Sequence, residues 1–231
     1  MNIRILQQIE GAREAEGLAV IIDVFRAFST ACYAMAGGAA RIIPVGDLET
    51  AFRLKREDPA ALLVGERGGV MVAGFDYGNS PTQLKAADVR GRTIVHTTSA
   101  GTQGIANAKQ ADEIITGSFV NAGAIVNYIR VRRPQTVSLV CMGLGGTQEA
   151  DEDTLCAAYI RNALEDRPND FGSIVSHLQS ESRTGNFLDL VGEASAPKED
   201  FDLCLALDAF DFVLRVRPWR NGLAELEMAR D

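Results

Sequence analysis

The chain has no Cys-x-x-Cys pair. Its four cysteines, Cys32, Cys141, Cys156 and Cys204, are scattered, each in an apolar run. Such placement predicts buried free thiols in a reducing compartment, against a metal or redox pair. No stretch approaches the roughly 18 consecutive apolar residues of a membrane-spanning helix, and residues 1–10 lack the apolar core of a signal peptide. A cytoplasmic protein without a membrane partner is expected. Basic charge is also short: 23 Lys and Arg face 31 Asp and Glu, a net charge of −8. That balance excludes non-specific nucleic-acid binding and attachment to an anionic membrane. An anionic ligand would have to be met by locally placed arginines and backbone N–H groups. The two histidines, His96 and His177, stand alone, and there is no nucleophile elbow, His-Glu-x-x-His or Gly-x-Gly-x-x-Gly.

What is present is an ordinary globular composition, 46% hydrophobic and 23% charged over 231 residues, enough for a sizeable core. Residues 17–23 (GLAVIID) read as a buried strand ending in a carboxylate. A helix starts near Ser29 or Thr30, runs through Met35 and stops at Gly37 and Gly38. Arg41 to Val45 is a second strand, Asp47 an N-cap for a helix over 48–56, and Ala61 to Val64 a third strand. Strands over 93–96, 112–116 and 136–141 follow, each succeeded by a polar or glycine-rich loop and a helix. Alternation at these spacings predicts an α/β fold, layered α/β/α, with a largely parallel or mixed sheet. The C-terminal third reads as mostly helical over 167–207. A late strand over 211–216 is expected at an edge or in a separate ribbon. No linker divides the chain, so 1–231 is expected to form a single compact domain, with a homodimer left open.

The stretch GERGGVMVAGFDYGNS, residues 65–80, concentrates the chemistry. It carries Glu66, Arg67, Asp76, Asn79 and Ser80 among five glycines that let the backbone approach a ligand. Alone it reads equally as a glycine-rich hairpin with a solvated Glu–Arg pair. Asp23 with Arg26, Thr97 to Thr102, Ser118 with Asn121, and Glu152 with Asp153 occupy comparable positions after other strands. If the sheet is parallel, these loops share one edge and their polar groups converge. Thr97, Thr98, Gly101 and Thr102 form either an anion cradle at a helix N-terminus or a simple cap. Asp23 and Arg26 suit an ion pair or a phosphate site. Several carboxylates around one anion call for a divalent cation, Mg²⁺ by default. Two other phosphatase readings fail. Residues 151–155 (DEDTL) imitate the Asp-x-Asp nucleophile motif of haloacid dehalogenase phosphatases, but they open a helix. Cys141 lacks the arginine six residues on, where Thr147 stands.

Several motifs then resemble one family. They are Ile22-Asp23-Val24-Phe25-Arg26-Ala27, residues 65–69 (GERGG), residues 74–81 (GFDYGNSP), Thr97-Thr98 with Gly101-Thr102, Gly117-Ser118-Phe119 with Asn121, and residues 152–156 (EDTLC). Residues 182–185 (SRTG) and 204–208 (CLALD) extend the match towards the C-terminus. Together they are similar to the 2-phosphosulfolactate phosphatases, in order and over nearly the whole chain. The resemblance implies a Mg²⁺-dependent phosphatase that converts 2-phospho-3-sulfolactate to 3-sulfolactate, a step of coenzyme M biosynthesis. Where the family commonly has Asn, this chain has Ala100, which leaves the identity of its substrate open. The site expected from the residues and the resemblance has Asp23, Arg26, Glu66, Arg67 and Asp76 as catalytic groups. Asn79, Ser80, Thr97, Thr98, Gly101, Thr102, Ser118 and Asn121 would bind the small anionic substrate. Asp23, Glu66, Asp76, Glu152 and Asp153 would supply the Mg²⁺ ligands. A metal-activated water is the expected nucleophile, with Asp23 as the alternative. A non-catalytic binder of anionic metabolites, or a phosphatase for another phosphorylated hydroxy acid, would share these features.

Overall fold

The computed structural model describes residues 1–180 and 197–230; the motif at 182–185 lies outside the described residues. The chain opens with strand β1 (Asn2–Gln7) and helix α1 (Gln8–Arg13), followed by β2 (Gly17–Ile22), α2 (Ala27–Ala36), β3 (Arg41–Pro44) and α3 (Leu48–Glu57). Next come β4 (Leu62–Arg67), β5 (Val70–Met71), α4 (Pro81–Ala86), β6 (Thr93–Thr97) and α5 (Gly101–Asn107). Then follow β7 (Ala111–Gly117), α6 (Ala122–Arg132), β8 (Thr136–Cys141), α7 (Asp151–Leu164) and α8 (Phe171–Ser180). The chain closes with α9 (Glu199–Cys204) and the hairpin β9 (Val213–Pro218) and β10 (Ala224–Ala229).

The strands form one sheet in the order β1-β8-β2-β7-β9-β10-β3-β6-β4-β5. It is mixed in a specific way. β1, β8, β2 and β7 are mutually parallel, and so are β3, β6 and β4. The hairpin sits between these halves, with β9 antiparallel to β7 and β10 antiparallel to β3. The late strand is therefore central and not at an edge. It went unread as a central strand because β9 alternates Arg215 and Arg217 with Leu214 and Val216, a pattern that fits an exposed ribbon equally well. In the hairpin the arginines find cross-strand acids: Glu227 lies opposite Arg215, whose Nη2 is 2.8 Å from its carboxylate, and Glu225 lies opposite Arg217.

The hairpin also sets the sense of the strands. Three successive antiparallel steps make the second half run opposite to the first. Adjacent strands rotate by about 20–25° per pair. Over the strands between β2 and β6 that rotation accumulates and swings the second half back towards the first. The two halves thus face one another across a shared layer of helices. Ala19, Ile21 and Val140 of the first half and Ile42, Leu62, Val64 and Ile94 of the second pack on Phe28, Ala31 and Cys32 of α2 and Ile105 of α5. Alternate residues of the same strands point outward. Val20, Ile22, Val137 and Leu139 meet α6, α7 and α8, while Ile43, Leu63 and Val95 meet α3. Burial on both faces explains why these strands read as unbroken apolar runs.

Local signals behave as their chemistry dictates. Asp47 caps α3, accepting the Thr50 N–H at 2.7 Å. All four cysteines are buried free thiols. β1 escaped the sequence reading because NIRILQ is half-buried and partly polar, an edge strand beside β8. No described helix is long and apolar enough to cross a membrane.

Because β10 joins the halves through Leu226, opposite Ile42 and 1% exposed, Leu226→Ala is expected to destabilise the protein by about 2–5 kcal/mol. Urea unfolding would measure this; a loss below about 1 kcal/mol would mean the hairpin does not hold the halves together.

Candidate functional site

A cavity of about 220 Å³ opens where the two halves meet. Asp23, Phe25 and Arg26 line it from the segment after β2, and Gly143, Leu144 and Gly145 from the loop after β8. Glu66, Gly68 and Gly69 at the end of β4, Asn79, and Ser99 and Ala100 after β6 complete it from the other half. The expected convergence of strand-end loops is thus observed for those after β2, β4, β6 and β8. Its cause is the twisted-back second half and not a uniformly parallel sheet. Close approach is structural here. A Cβ on Gly101 would lie 2.8 Å from the Asp23 carboxylate and 2.7 Å from the Ala27 Cβ, and one on Gly65 (φ 152°) would collide with the Thr97 carbonyl.

Glu66 and Arg67 lie in a strand and not in a loop, since β4 continues through Gly65 and pairs there with Thr97. Side chains alternate along it. Glu66 faces the cavity and accepts from the Ser99 N–H (2.5 Å), the Ser99 hydroxyl (3.0 Å) and the Gly69 N–H (2.7 Å). Its carboxylate thereby ties the 97–102 loop to the 68–69 turn. Arg67 lies beside the cavity, donating to the Thr97 hydroxyl (2.8 Å) and the Glu66 and Gly46 carbonyls (2.6 and 3.4 Å). Among the described residues no carboxylate pairs with it.

Asp23 is 5% exposed and accepts the Ala27 N–H at 2.9 Å. Burial pushes its carboxyl up to about 6, opposed by the Ala27 and Gly101 N–H groups and reinforced by the charge of Glu66. Asp153 lies behind it, bridging the ends of β2 and β8 by accepting the Val24 and Gly143 N–H groups, each at 2.8 Å. Burial, then the charges of Glu152 and Asp23, hold Asp153 well above the usual carboxylate range. His96 is buried, which lowers its imidazole to about 4, and its Nε2 lies 3.2 Å from the Asn79 amide oxygen. The neutral ring donates to Asn79 and orients it.

Arg26 makes a buried ion pair. Its Nη1 is 2.6 Å from Asp200 Oδ2, with the two side chains 2% and 0% exposed. Asp200 also accepts from the Ser80 hydroxyl (2.8 Å) and the Thr82 N–H (2.9 Å). Asp200 went unread at the sequence level because it sits among acids at the start of a short helix, where a solvated cap is the ordinary expectation. Ser99 and the glycines of the 143–145 loop were also left out of the expected site. Their signal is the polar or glycine-rich turn that directly follows an apolar strand.

Other expected residues are engaged elsewhere. The Asp76 carboxylate accepts the Leu63 N–H (2.8 Å) and pairs with Lys55 (3.1 Å), on the flank of β4 away from the cavity lining. Thr98 and Thr102 satisfy each other: each backbone N–H donates to the other's hydroxyl, at 3.0 and 3.1 Å, which caps α5. Ser118 and Asn121 form a capping box at 119–121, fully buried, with Asn121 also donating to the Phe212 carbonyl. Ser80 caps α4. Glu152 is buried in the first turn of α7 beside Asp153 and does not line the cavity.

Among the described residues, no three His, Cys, Asp or Glu side chains form a group that could cage a metal ion. The lining donors are all oxygens, however, and two like-charged carboxylates, Asp23 and Glu66, face the same buried space. Mg²⁺ takes hard oxygen ligands, needs only one or two carboxylates and keeps its remaining waters. Asp23 and Glu66 fit that demand.

Residues 3–218 match the sequence model of a family described as 2-phosphosulpholactate phosphatase. A probable 2-phosphosulfolactate phosphatase of Caldicellulosiruptor saccharolyticus is 41% identical over 173 residues, covering 71% of this chain and 70% of that protein. One of Caldanaerobacter subterraneus subsp. tengcongensis is 33% identical over 217 residues, 88% of each chain. One of Gloeobacter violaceus is 34% identical over 202 residues, covering 82% of this chain and 84% of the relative. With a match from the first strand into the central hairpin, the chain belongs to the 2-phosphosulpholactate phosphatase family.

Proposed function

We propose that the protein is a phosphoric monoester hydrolase that removes phosphate from 2-phospho-3-sulfolactate, leaving 3-sulfolactate, and that it does so with Mg²⁺. The observation that carries this reading is the shared cavity, lined by Asp23 and Glu66 from opposite half-sheets together with Arg26. Two carboxylates and one arginine leave an excess of negative charge that would repel a multiply anionic substrate. A divalent cation between Asp23 and Glu66 reverses that balance. When bound, Mg²⁺ would supply positive charge to the phosphoryl oxygens and acidity to a coordinated water.

The chain's own groups do the rest. Arg26 presents planar paired donors suited to phosphate, sulfonate or carboxylate oxygens. Asp23, whose carboxyl burial and the charge of Glu66 raise to about 6 without a cation, would share the metal with Glu66, and the cation would hold both carboxylates ionised. Glu66 holds the 68–69 turn and Ser99 in place around the ligand. Asn79, oriented by His96, offers an amide to the substrate's oxygens. Arg67, on the Thr97 hydroxyl, adds positive charge at the cavity's side. Asp76, paired with Lys55, has no part in this reading. A second reading, a phosphorylated hydroxy acid without the sulfonate, is favoured by Ala100, an apolar residue in the lining that offers no side-chain donor to a second anionic group. A panel of phosphorylated acids separates the two.

Purified protein is expected to release phosphate from 2-phospho-3-sulfolactate, to lose on the order of 10²-fold or more of that rate in chelator, and to regain it with Mg²⁺. No release from any phosphorylated hydroxy acid would make the protein a binder and not an enzyme. Asp23→Asn is expected to lower turnover by on the order of 10²-fold or more. Its Tm in metal-free buffer should not fall, because a buried carboxylate beside Glu66 destabilises the fold that an amide does not. Retained turnover in this variant would remove Asp23 from the chemistry.

A further inference from the structure

We infer that Asp200 is a positioning residue for Arg26, and that α9 thereby helps align the anion-binding arm of the cavity. The contact between the two segments is double. Adjacent residues Phe25 and Arg26 meet adjacent residues Phe201 and Asp200. The rings of Phe25 and Phe201 stack at 5.3 Å with an interplanar angle of 19°, and Arg26 Nη1 meets Asp200 Oδ2 at 2.6 Å. Phe25 and Arg26 both line the cavity. Asp200 does not: it is 0% exposed and touches none of the space a ligand would fill.

The geometry of Asp200 is that of a fixed post. One oxygen, Oδ1, is held by the Ser80 hydroxyl at 2.8 Å and the Thr82 N–H at 2.9 Å. That leaves Oδ2 to fix one nitrogen of the guanidinium. An arginine has several donors in a rigid plane, so anchoring one edge aims the others. Ser80 directly follows Asn79, a lining residue from the other half-sheet. Asp200 therefore sets the position of Arg26 relative to that opposite wall as well. Its charge also keeps the buried guanidinium neutralised when no anion is bound. Misplacement of a binding group by about 1 Å can cost up to on the order of 10²-fold, so the effect should be visible in ligand affinity. This inference rests on the proposed role of Arg26 in anion binding, but not on turnover.

The test is calorimetric titration of the whole protein with inorganic phosphate in the presence of Mg²⁺, alongside phosphate-release kinetics and thermal unfolding. Asp200→Asn keeps the shape and the acceptor for Ser80 but turns an amide N–H₂ towards Arg26. It is expected to weaken phosphate binding by about 10-fold or more, whereas in an Arg26→Ala background the same change should add less than about 2-fold. Ile129→Ala, in the outer-face core under α6 and away from the cavity lining, serves as the control, losing stability with phosphate affinity unchanged. Should Asp200→Asn not fold, Ser80→Ala decides. It leaves the ion pair in place but frees one side of the post, and a loss of several-fold in affinity that disappears in the Arg26→Ala background is expected. The inference is overturned if folded Asp200→Asn, or Ser80→Ala in its place, binds phosphate as wild type does. It is also overturned if its effect is as large without Arg26, or if wild type binds phosphate no better than Arg26→Ala. Coupling between Asp200 and Arg26 with no release of phosphate would sink the hydrolytic reading alone.

Discussion

Burying charge around one small cavity is the constraint on which the rest of this structure depends. Asp23, Arg26, Glu66, Asp153 and Asp200 are each at most 6% exposed, and an ion taken out of water without partners costs several kcal/mol or more. The fold meets that cost with backbone N–H groups. Those of Ala27 and Gly101 serve Asp23, those of Val24 and Gly143 serve Asp153, and those of Gly69 and Ser99 serve Glu66. Each donor lies at the end of a strand or the start of a helix, where backbone groups lack partners of their own. The glycine-rich turns follow from the same need, since the chain must come within hydrogen-bonding distance of a carboxylate from several directions.

The sheet topology exists to bring these ends together. A uniformly parallel sheet would place the ends of β2 and β4 along one edge, many strand widths apart. Inserting an antiparallel hairpin reverses the second half, and accumulated twist returns its carboxyl ends to face Asp23. The cavity is then built from two half-sheets that share a helical layer, with α2 and α5 starting at its wall. This explains why the C-terminal elements matter to a site made mostly from the first 150 residues. β10 joins the halves, and α9 supplies the counter-ion of Arg26.

How much of this was legible in the sequence follows from how local each signal is. The buried strands, the Asp47 cap and the helix over 151–164 are encoded within a few residues, and they fold as they read. Asp23, Arg26 and Glu66 stood out as charged groups at the ends of apolar runs, and Asn79 as a polar group in the glycine-rich stretch 65–80; all four line the cavity. What stayed hidden depends on distant pairing. Nothing near Asp200 reveals a partner 174 residues away in the chain, and nothing in 213–218 states that its neighbours will be β7 and β10. Ser118, Asn121, Thr98 and Thr102 show a different ambiguity. Hydroxyl and amide side chains after a strand suit an anion and a helix cap equally well, and here they cap. Asp76 lay in the right stretch of chain, but Lys55 and the Leu63 N–H hold its carboxylate on the other flank of β4.

The central claim is that one cavity serves both the cation and the anion. Crystals of the protein soaked with Mn²⁺, as a stand-in for Mg²⁺, and phosphate test it most directly, because the anomalous signal locates the metal independently of any assumption about chemistry. The account predicts a single Mn²⁺ peak between the carboxylates of Asp23 and Glu66, with phosphate bridging it to the Arg26 guanidinium. A metal peak outside that cavity, or phosphate bound away from both the metal and Arg26, would contradict it.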